Sequence, residues 1–247
     1  MDKSEIKYSI IIPVLNEEAV ITRLMRQISD PMLKNRYHYE IIISDGGSTD
    51  ETLKRVEPYA DKVVKHVNNV YQKISIGRNA GSKVAAGDVL IFINGDVTFK
   101  DIVGFFFELE SCFSNSEYVA FTCRVEVSPE EKRWSDRIFL GFYNIYFNFL
   151  NVIGIGMGRG ECQVVRRKVF DLINGNNTDL AAGEDFDLFI RLRRKGKIYF
   201  SNRTVVYESP RRYRKKGHLY VMLCWLLNSI TVLLFNKSAS KEWEPVR

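Results

Sequence analysis

The sequence predicts an α/β protein built on a mixed, mostly parallel, doubly wound sheet flanked by helices, with an apolar helix near its C-terminal end. Three observations predict it. The runs Tyr8–Val14, Tyr39–Ser44 and Val89–Ile93 are short and nearly all apolar, as in strands buried on both faces. Helical patterns separate them, so strand and helix alternate through the first half. Each run ends on polar residues, and open α/β sheets bind ligands outside the carboxyl ends of their strands.

The elements follow in order. Tyr8–Val14 carries Pro13 near its end, which fits a strand exit better than a strand centre. Asn16 is placed to cap a helix reaching Ile28, with Val20, Ile21, Leu24, Met25 and Ile28 on one face. No glycine-rich dinucleotide turn follows this strand, and no Walker A loop occurs in the chain. Tyr39–Ser44 is the second strand, and Asp45 stands at its end. Ser48 and Glu51 have the spacing of a capping box, so a helix is expected there. Asp45 then reads either as part of a tight strand-to-helix turn or as an acceptor for the imide N–H of a base. Residues 62–67 read as a weaker third strand. Ser75 to Gly87 reads as a small-residue helix, with Arg78 either on the surface or reaching back toward a nucleotide. The fourth strand runs from Val89 into Asn94-Gly95-Asp96. A carboxylate just past a buried strand, on a glycine turn, suits a hard divalent cation that also holds a phosphate, and it equally suits an ordinary turn aspartate.

Four blocks now stand together: Ser9-Ile-Ile-Ile-Pro-Val-Leu-Asn-Glu17, Asp45-Gly-Gly-Ser-Thr-Asp50, Gly77-Arg-Asn-Ala-Gly81 and Asn94-Gly-Asp96. In order and spacing this set resembles family 2 glycosyltransferases. The resemblance implies the GT-A fold and a nucleotide-diphosphate sugar, linked to uridine or guanosine, as donor. It implies that Pro13, Asn16, Glu17 and Asp45 surround base and ribose, with Arg78 close to the base. It makes Asp96 the last carboxylate of the family's Asp-x-Asp motif, which binds Mg²⁺ or Mn²⁺ and the sugar diphosphate. Asn94 departs from that motif. A carboxamide oxygen can ligate a metal but carries no charge, so metal affinity is lower. This departure leaves open a homologue that binds nucleotide sugar without catalysis.

The second half reads as the acceptor side. Asp101–Cys112 is a helix whose Phe105-Phe106-Phe107 cluster belongs in the core. Tyr118–Val127 is a strand. Glu130–Asn151 is a helix rich in aromatic residues, read first as packing over the sheet and second as an exposed acceptor or membrane-facing surface. A glycine-dense loop, 154–160, leads into a short strand over 161–166 and a helix from Arg167 to Ile173. Gly183–Lys195 is a helix whose first acids, Glu184 and Asp185, suit the helix dipole. The resemblance gives the pair a second meaning: Asp185 as general base, with Glu184 supporting it or bonding the acceptor. Residues 196–200 and 204–207 read as two short strands.

Net charge is +6, and Arg211, Arg212, Arg214, Lys215 and Lys216 concentrate part of it in one loop. That loop reads as a solvated run, as a clamp on the diphosphate through Arg211 or Arg212, or as a contact for anionic lipid headgroups. No nucleic-acid signature accompanies it. Residues 219–235 are strongly apolar but short of the ~20 residues of a usual span, which favours an interfacial helix over a buried or spanning one. Four dispersed cysteines form no zinc motif and suit a reducing compartment. The N-terminal residues carry no apolar signal region. These features place the protein in the cytoplasm, with peripheral contact to the cytoplasmic face of a membrane as an extension.

The expected organisation is a 1–210 domain, with a donor half over 1–100 and an acceptor half over 101–210, and an appendage over 211–247. The expected activity is inverting sugar transfer to an acceptor hydroxyl or phosphate: a glycan, a lipid-linked glycan or a polyprenyl phosphate. A membrane adaptor without donor binding is the other class left open.

Overall fold

The computed structural model describes residues 6–66, 72–235 and 237–240. The strands are β1 (Tyr8–Val14), β2 (Tyr39–Asp45), β3 (Lys62–Lys65), β4 (Val89–Ile93), β5 (Thr98–Phe99), β6 (Tyr118–Val127), β7 (Cys162–Arg166) and β8 (Lys197–Glu208). They form one sheet in the order β3-β2-β1-β4-β7-β6-β8-β5. The β3-β2-β1-β4 half is parallel throughout. Beyond it β7 runs antiparallel to both β4 and β6, and β6 and β8 are parallel.

Alternation along the buried strands divides the core in two. Ile10, Ile12, Ile41, Ile43 and Ile91 face one side, where they meet α1 (Ile21–Ile28), α2 (Pro31–Tyr37) and α5 (Ile102–Ser114). Ile11, Ile42, Leu90 and Phe92 face the other, against α7 (Arg167–Leu172) and α8 (Glu184–Arg193). All nine of these strand residues are essentially inaccessible to solvent, and each contributes roughly 1.5–3 kcal/mol of burial. The helix α4 (Ile74–Val84) lies close on β1: a Cβ at Gly81 would sit 2.4 Å from Ile11. A Cβ at Gly87 would sit 2.5 Å from the Tyr8 backbone.

Four more helices are described: α3 (Thr52–Val56), α6 (Trp134–Val152) and the C-terminal pair α9 (Arg211–Lys216) and α10 (His218–Phe235). The pair α9 and α10 packs on α6 and α8 through Tyr213, Val221 and Val232.

Several sequence expectations are corrected. Asn16 caps no helix, because α1 starts only at Ile21 and its N-cap position is Val20. Asn16 takes a positive φ instead, and its side-chain oxygen accepts from the Thr49 amide at 2.7 Å. Ser48 and Glu51 form no capping box. The Asp50 carboxylate accepts from the Thr52 amide and hydroxyl, and α3 begins there. Phe105 and Phe106 are core residues, whereas Phe107 is exposed, because three successive helix positions cannot share one face. The two last strands are a single strand, β8: its pairing with β6 jumps from Ser201 to Val205, and the Ser201 hydroxyl accepts from the amides of the looped-out Arg203 and Thr204. The basic loop is the short helix α9. Val67 of the third strand, the first five residues of the N-terminal stretch, and residues 236 and 241–247 of the C-terminal appendage lie outside the described residues.

Candidate active site

The first cluster is built at the ends of β1 and β2. The Gly46 amide donates to the Val14 carbonyl at 2.8 Å, closing the two strand ends together. The Asp45 carboxylate turns back on its own loop and accepts from the amides of Gly47 and Ser48 at 3.1 Å. Gly47 holds a φ of +97°, a conformation that L side chains rarely adopt. The Asn16 amide donates to the Ser48 hydroxyl, and that of Glu17 to the Thr52 hydroxyl at 2.7 Å. Pro13 faces α4, where a Cβ on Gly77 would lie 3.3 Å from its ring. These groups form a polar rim tied together by short loops.

The second cluster centres on Arg78. Its position on α4 carries the side chain across to the end of β4, where it is fully buried. Its guanidinium donates to Asn94 Oδ1 at 3.1 Å, to the Gly160 carbonyl at 2.8 Å and to Glu184 Oε1 at 3.2 Å. Asp185 stands beside it at the start of α8. Gly183, with φ +78°, turns the chain into that helix. The Asp185 carboxylate accepts from the amides of Gly160 and Phe186. Burial, then the nearby charges of Glu184 and Glu161, push its carboxyl up to about 7, against the opposing pull of Arg78. Deeper in α8, Asp187 pairs with Arg191 one turn on, and that guanidinium also bonds the Ile173 and Gly175 carbonyls, fixing the helix to the preceding loop.

A third cluster was not singled out from the sequence. Arg159 is buried, and its guanidinium lies 3.1 Å from Glu161 and 2.8 Å from Glu208. The Tyr213 hydroxyl donates to Glu208 at 2.6 Å, and the Trp225 ring lies 4.9 Å from the Arg159 guanidinium. Burial raises Glu208 to about 8, with Arg159 opposing and Glu161 reinforcing the rise. Burial also acts to raise Glu161, but Arg159 and the hydrogen bond from Glu208 outweigh it, and this carboxyl stays ionised. The one available sequence signal was Arg159 flanked by Gly158 and Gly160, where a charged side chain interrupts an otherwise uncharged loop.

Asp96 completes the site. Arg211 reaches from α9 to within 3.3 Å of both Asp96 and Glu17. Burial raises the Asp96 carboxyl, and Arg211 opposes the rise. Arg212 is partly buried, and burial lowers its pKa against the pull of Glu161, Glu208 and Asp96. Of the residues singled out from the sequence, Arg78, Asn94, Glu184 and Asp185 therefore line one cavity of about 170 Å³ together with Arg159 and Glu161. Glu17, Asp96 and Arg211 form a bridge beside it. Asn16 and Asp45 are bonded into the rim.

Among the described residues no three His, Cys, Asp or Glu side chains are placed to hold a metal ion between them. Asp96 fits a cation of the kind that uses one or two carboxylates and completes its shell from phosphate and water. Asn94 fits less well, because its oxygen accepts from Arg78 and a cation there would face the guanidinium.

A parallel four-stranded half with its polar groups at the strand ends, joined to an antiparallel extension that carries an acidic helix start, defines the GT-A fold. The chain belongs to glycosyl transferase family 2, whose profile matches residues 9–173. It is 32% identical over 114 residues to the poly(ribitol-phosphate) beta-N-acetylglucosaminyltransferase TarS of Staphylococcus aureus, covering 42% of this chain and 20% of that protein. It is 30% identical over 95 residues to an undecaprenyl-phosphate 4-deoxy-4-formamido-L-arabinose transferase of Proteus mirabilis, covering 37% of this chain and 29% of the relative. The chain thus matches only a fifth to under a third of these two relatives' lengths. Among solved structures, the mannosyltransferase PcManGT of Pyrobaculum calidifontis, in complex with GDP-Man and Mn²⁺, superimposes with a TM-score of 0.64 at 18% identity, covering 86% of this chain and 61% of that one.

Proposed function

We propose that this protein transfers a sugar, with inversion, from a nucleotide-diphosphate sugar to an acceptor hydroxyl or phosphate. The observation that carries the reading is Asp185, a carboxylate with a pKa near 7 in a cavity shared with Arg78, Asn94 and Glu184. A base of that strength takes a proton efficiently near neutral pH. Two backbone amides and the Arg78-held Glu184 leave it little freedom to turn away. The acceptor oxygen attacks the anomeric carbon while its proton passes to Asp185. The bond from that carbon to the diphosphate breaks, and the nucleoside diphosphate departs with the electron pair. A phosphate acceptor arrives already ionised and needs Asp185 less.

The base and ribose of a UDP- or GDP-linked donor lie, in this reading, along Pro13, Asn16, Glu17 and Asp45. Arg78, which the resemblance puts near the base, is bonded to Asn94 and Glu184, and in this reading it braces the sugar end of the site instead. The diphosphate lies by Asp96. There Arg211 exchanges its carboxylate partners for phosphate oxygens, and Arg212 adds a second positive charge. A Mg²⁺ or Mn²⁺ held by Asp96 would neutralise charge building on the leaving diphosphate. PcManGT, the solved homologue with GDP-Man and Mn²⁺, supports both the donor class and the ion. Four free cysteines suit a reducing compartment, and we place the reaction in the cytoplasm.

A thermal-shift panel of UDP- and GDP-sugars, each with and without Mn²⁺, tests donor and metal together, since a ligand of the folded state raises Tm. The expected result is a shift with one nucleotide that grows with Mn²⁺. Release of nucleoside diphosphate that Asp185→Asn abolishes then establishes transfer. The Arg78 bond to Asn94 favours one second reading, a protein that binds the donor and does not turn it over. That reading predicts a metal-independent shift and no release.

A further inference from the structure

The cavity that holds Asp185 has two kinds of wall. One is polar and belongs to the transfer chemistry. The other is made by Tyr143, Tyr146, Phe147 and Leu150 of α6 with Trp225 and Leu226 of α10. No step in the transfer needs that apolar wall.

The two helices lie side by side along it. Asp136, near the start of α6, accepts from Arg214 at 2.5 Å and pairs with His218 at 2.7 Å. The rings of Tyr143 and Trp225 meet at 5.1 Å one step further along. Their inward faces are packed. Their outward faces are not: Ile145 is 75% exposed, Val152 76% and Leu227 56%, and Phe149, Leu223 and Leu234 continue the same apolar surface. Only 17% of α10 is buried, at a mean hydropathy of 1.8. An apolar surface of this kind marks an interaction site.

Two observations identify the occupant. First, Tyr146 and Leu226 line the cavity and are also 39% and 49% exposed, so the apolar wall opens onto the outer surface. A ligand can therefore place a polar head by Asp185 and an apolar chain along the seam between α6 and α10. Second, where the two helices begin, the exposed cations Arg133 and Arg137 at the start of α6 and Lys215 just before α10 outnumber the exposed acids Glu130 and Glu131. Anionic headgroups neutralise such an excess at the edge of an apolar face.

We propose that the outer faces of α6 and α10 rest on an anionic lipid bilayer, and that the acceptor is an amphiphile drawn laterally from it through the α6–α10 seam. The proposal rests on the transfer reading for the head of the acceptor. The surface itself does not depend on it.

Flotation of the full chain with phosphatidylcholine vesicles, with and without phosphatidylglycerol, tests the surface. Binding is expected with the anionic vesicles, tighter by about tenfold or more than with neutral ones and weakened by salt. The double variant Phe149→Glu/Leu227→Glu lies outside the cavity and is expected to stay monomeric, soluble and folded and to lose flotation. Failure of the wild-type chain to float would overturn the proposal. So would a wild-type dimer that the same double variant dissociates, since that would make the occupant a second copy. Dodecyl phosphate and dodecyl maltoside, compared with inorganic phosphate and maltose, test the seam. At least one amphiphile is expected to raise Tm where its headgroup alone does not, and Leu226→Arg is expected to cancel the shift. No shift with either would overturn the lateral acceptor path. The nucleotide-sugar shift, measured on the same samples, separates the two readings. A donor shift without vesicle binding overturns this proposal. Vesicle binding without any donor shift overturns the transfer reading and leaves the surface standing.

Discussion

The two ends of the crevice are held together in different ways. At the end proposed for the donor most polar groups are satisfied close by: Asp45 by the amides two and three residues on, the Asn16 side chain by the Thr49 amide, and the Glu17 backbone amide by Thr52, while the Glu17 carboxylate pairs with Arg211. At the acceptor end, charges from remote segments are buried against one another: Arg78 with Glu184, and Arg159 with Glu208 and Tyr213. Charges crowded into a low-dielectric cavity shift one another's protonation, and this is where Asp185 and Glu208 acquire values near neutrality. In the proposed reading the donor end supplies shape and the acceptor end proton chemistry.

The sharpest way to break that division is Asp185→Asn. Transfer to an acceptor hydroxyl is expected to fall by about 10²–10⁴ while the donor-induced Tm shift is unchanged. A fall below tenfold would identify a phosphate acceptor. For the wild-type enzyme, kcat/KM is expected to rise with pH through about 7 and then level, as Asp185 gives up its proton. Arg78→Met comes next. It leaves Glu184 and the Gly160 carbonyl without their cation in a buried setting, and breaking such a pair costs about 3–5 kcal/mol. Chemical denaturation should show the loss, and Arg78→Lys should recover part of it.

Gly87→Ala probes the fit of the chain against β1, beside the buried Glu40 and the Arg167 guanidinium that bonds the Gly87 carbonyl. The new methyl would meet the Tyr8 and Ser9 backbone at 2.5–2.7 Å, a fit that only backbone movement relieves. The cost is about 1–3 kcal/mol, read by chemical denaturation. The smallest effect at neutral pH is expected from Glu208→Gln, and its value lies in the pH profile. Glu208 and Asp185 are raised in the folded state, to about 8 and about 7, from ordinary values of 4.5 and 3.8. Their contribution to stability is complete below the ordinary values and is lost as pH rises to the folded ones, because the unfolded chain releases those protons first. Asp136, held by Arg214 and His218, is lowered to about 2 and acts oppositely, losing its contribution as pH falls below the ordinary 3.8. Tm should therefore fall between about pH 4 and pH 8, and Glu208→Gln should flatten the upper part of that slope.

Much of the fold and part of the site were legible beforehand. The apolar runs marked β1, β2 and β4 because burial on both faces leaves no alternation to misread. Asp185 and Arg78 were singled out through the residues around them, and the structure brings the two into one cavity. Misreadings occurred where two local solutions compete. Ser48 and Glu51 have capping-box spacing, yet Ser48 is drawn to Asn16 and Asp45 and the helix waits for Thr52. The aromatic helix α6 was expected first as core, and it is half that: Tyr143 and Phe147 are buried, whereas Trp134 and Ile145 face outward.

The sequence by itself determined the strands, their alternation with helices, the polar residues at their ends and the acidic start of α8. Each of these depends on neighbours a few residues apart, through periodicity or through a short turn. Only the tertiary structure decided that Arg211 spans to Glu17 and Asp96, that Arg159 gathers Glu208 and Tyr213, and that the cavity holding Asp185 is walled by α6 and α10. These depend on segments from tens of residues to nearly two hundred apart. A buried charge accepts whichever distant partner the sheet order brings within reach, and no local pattern encodes that order.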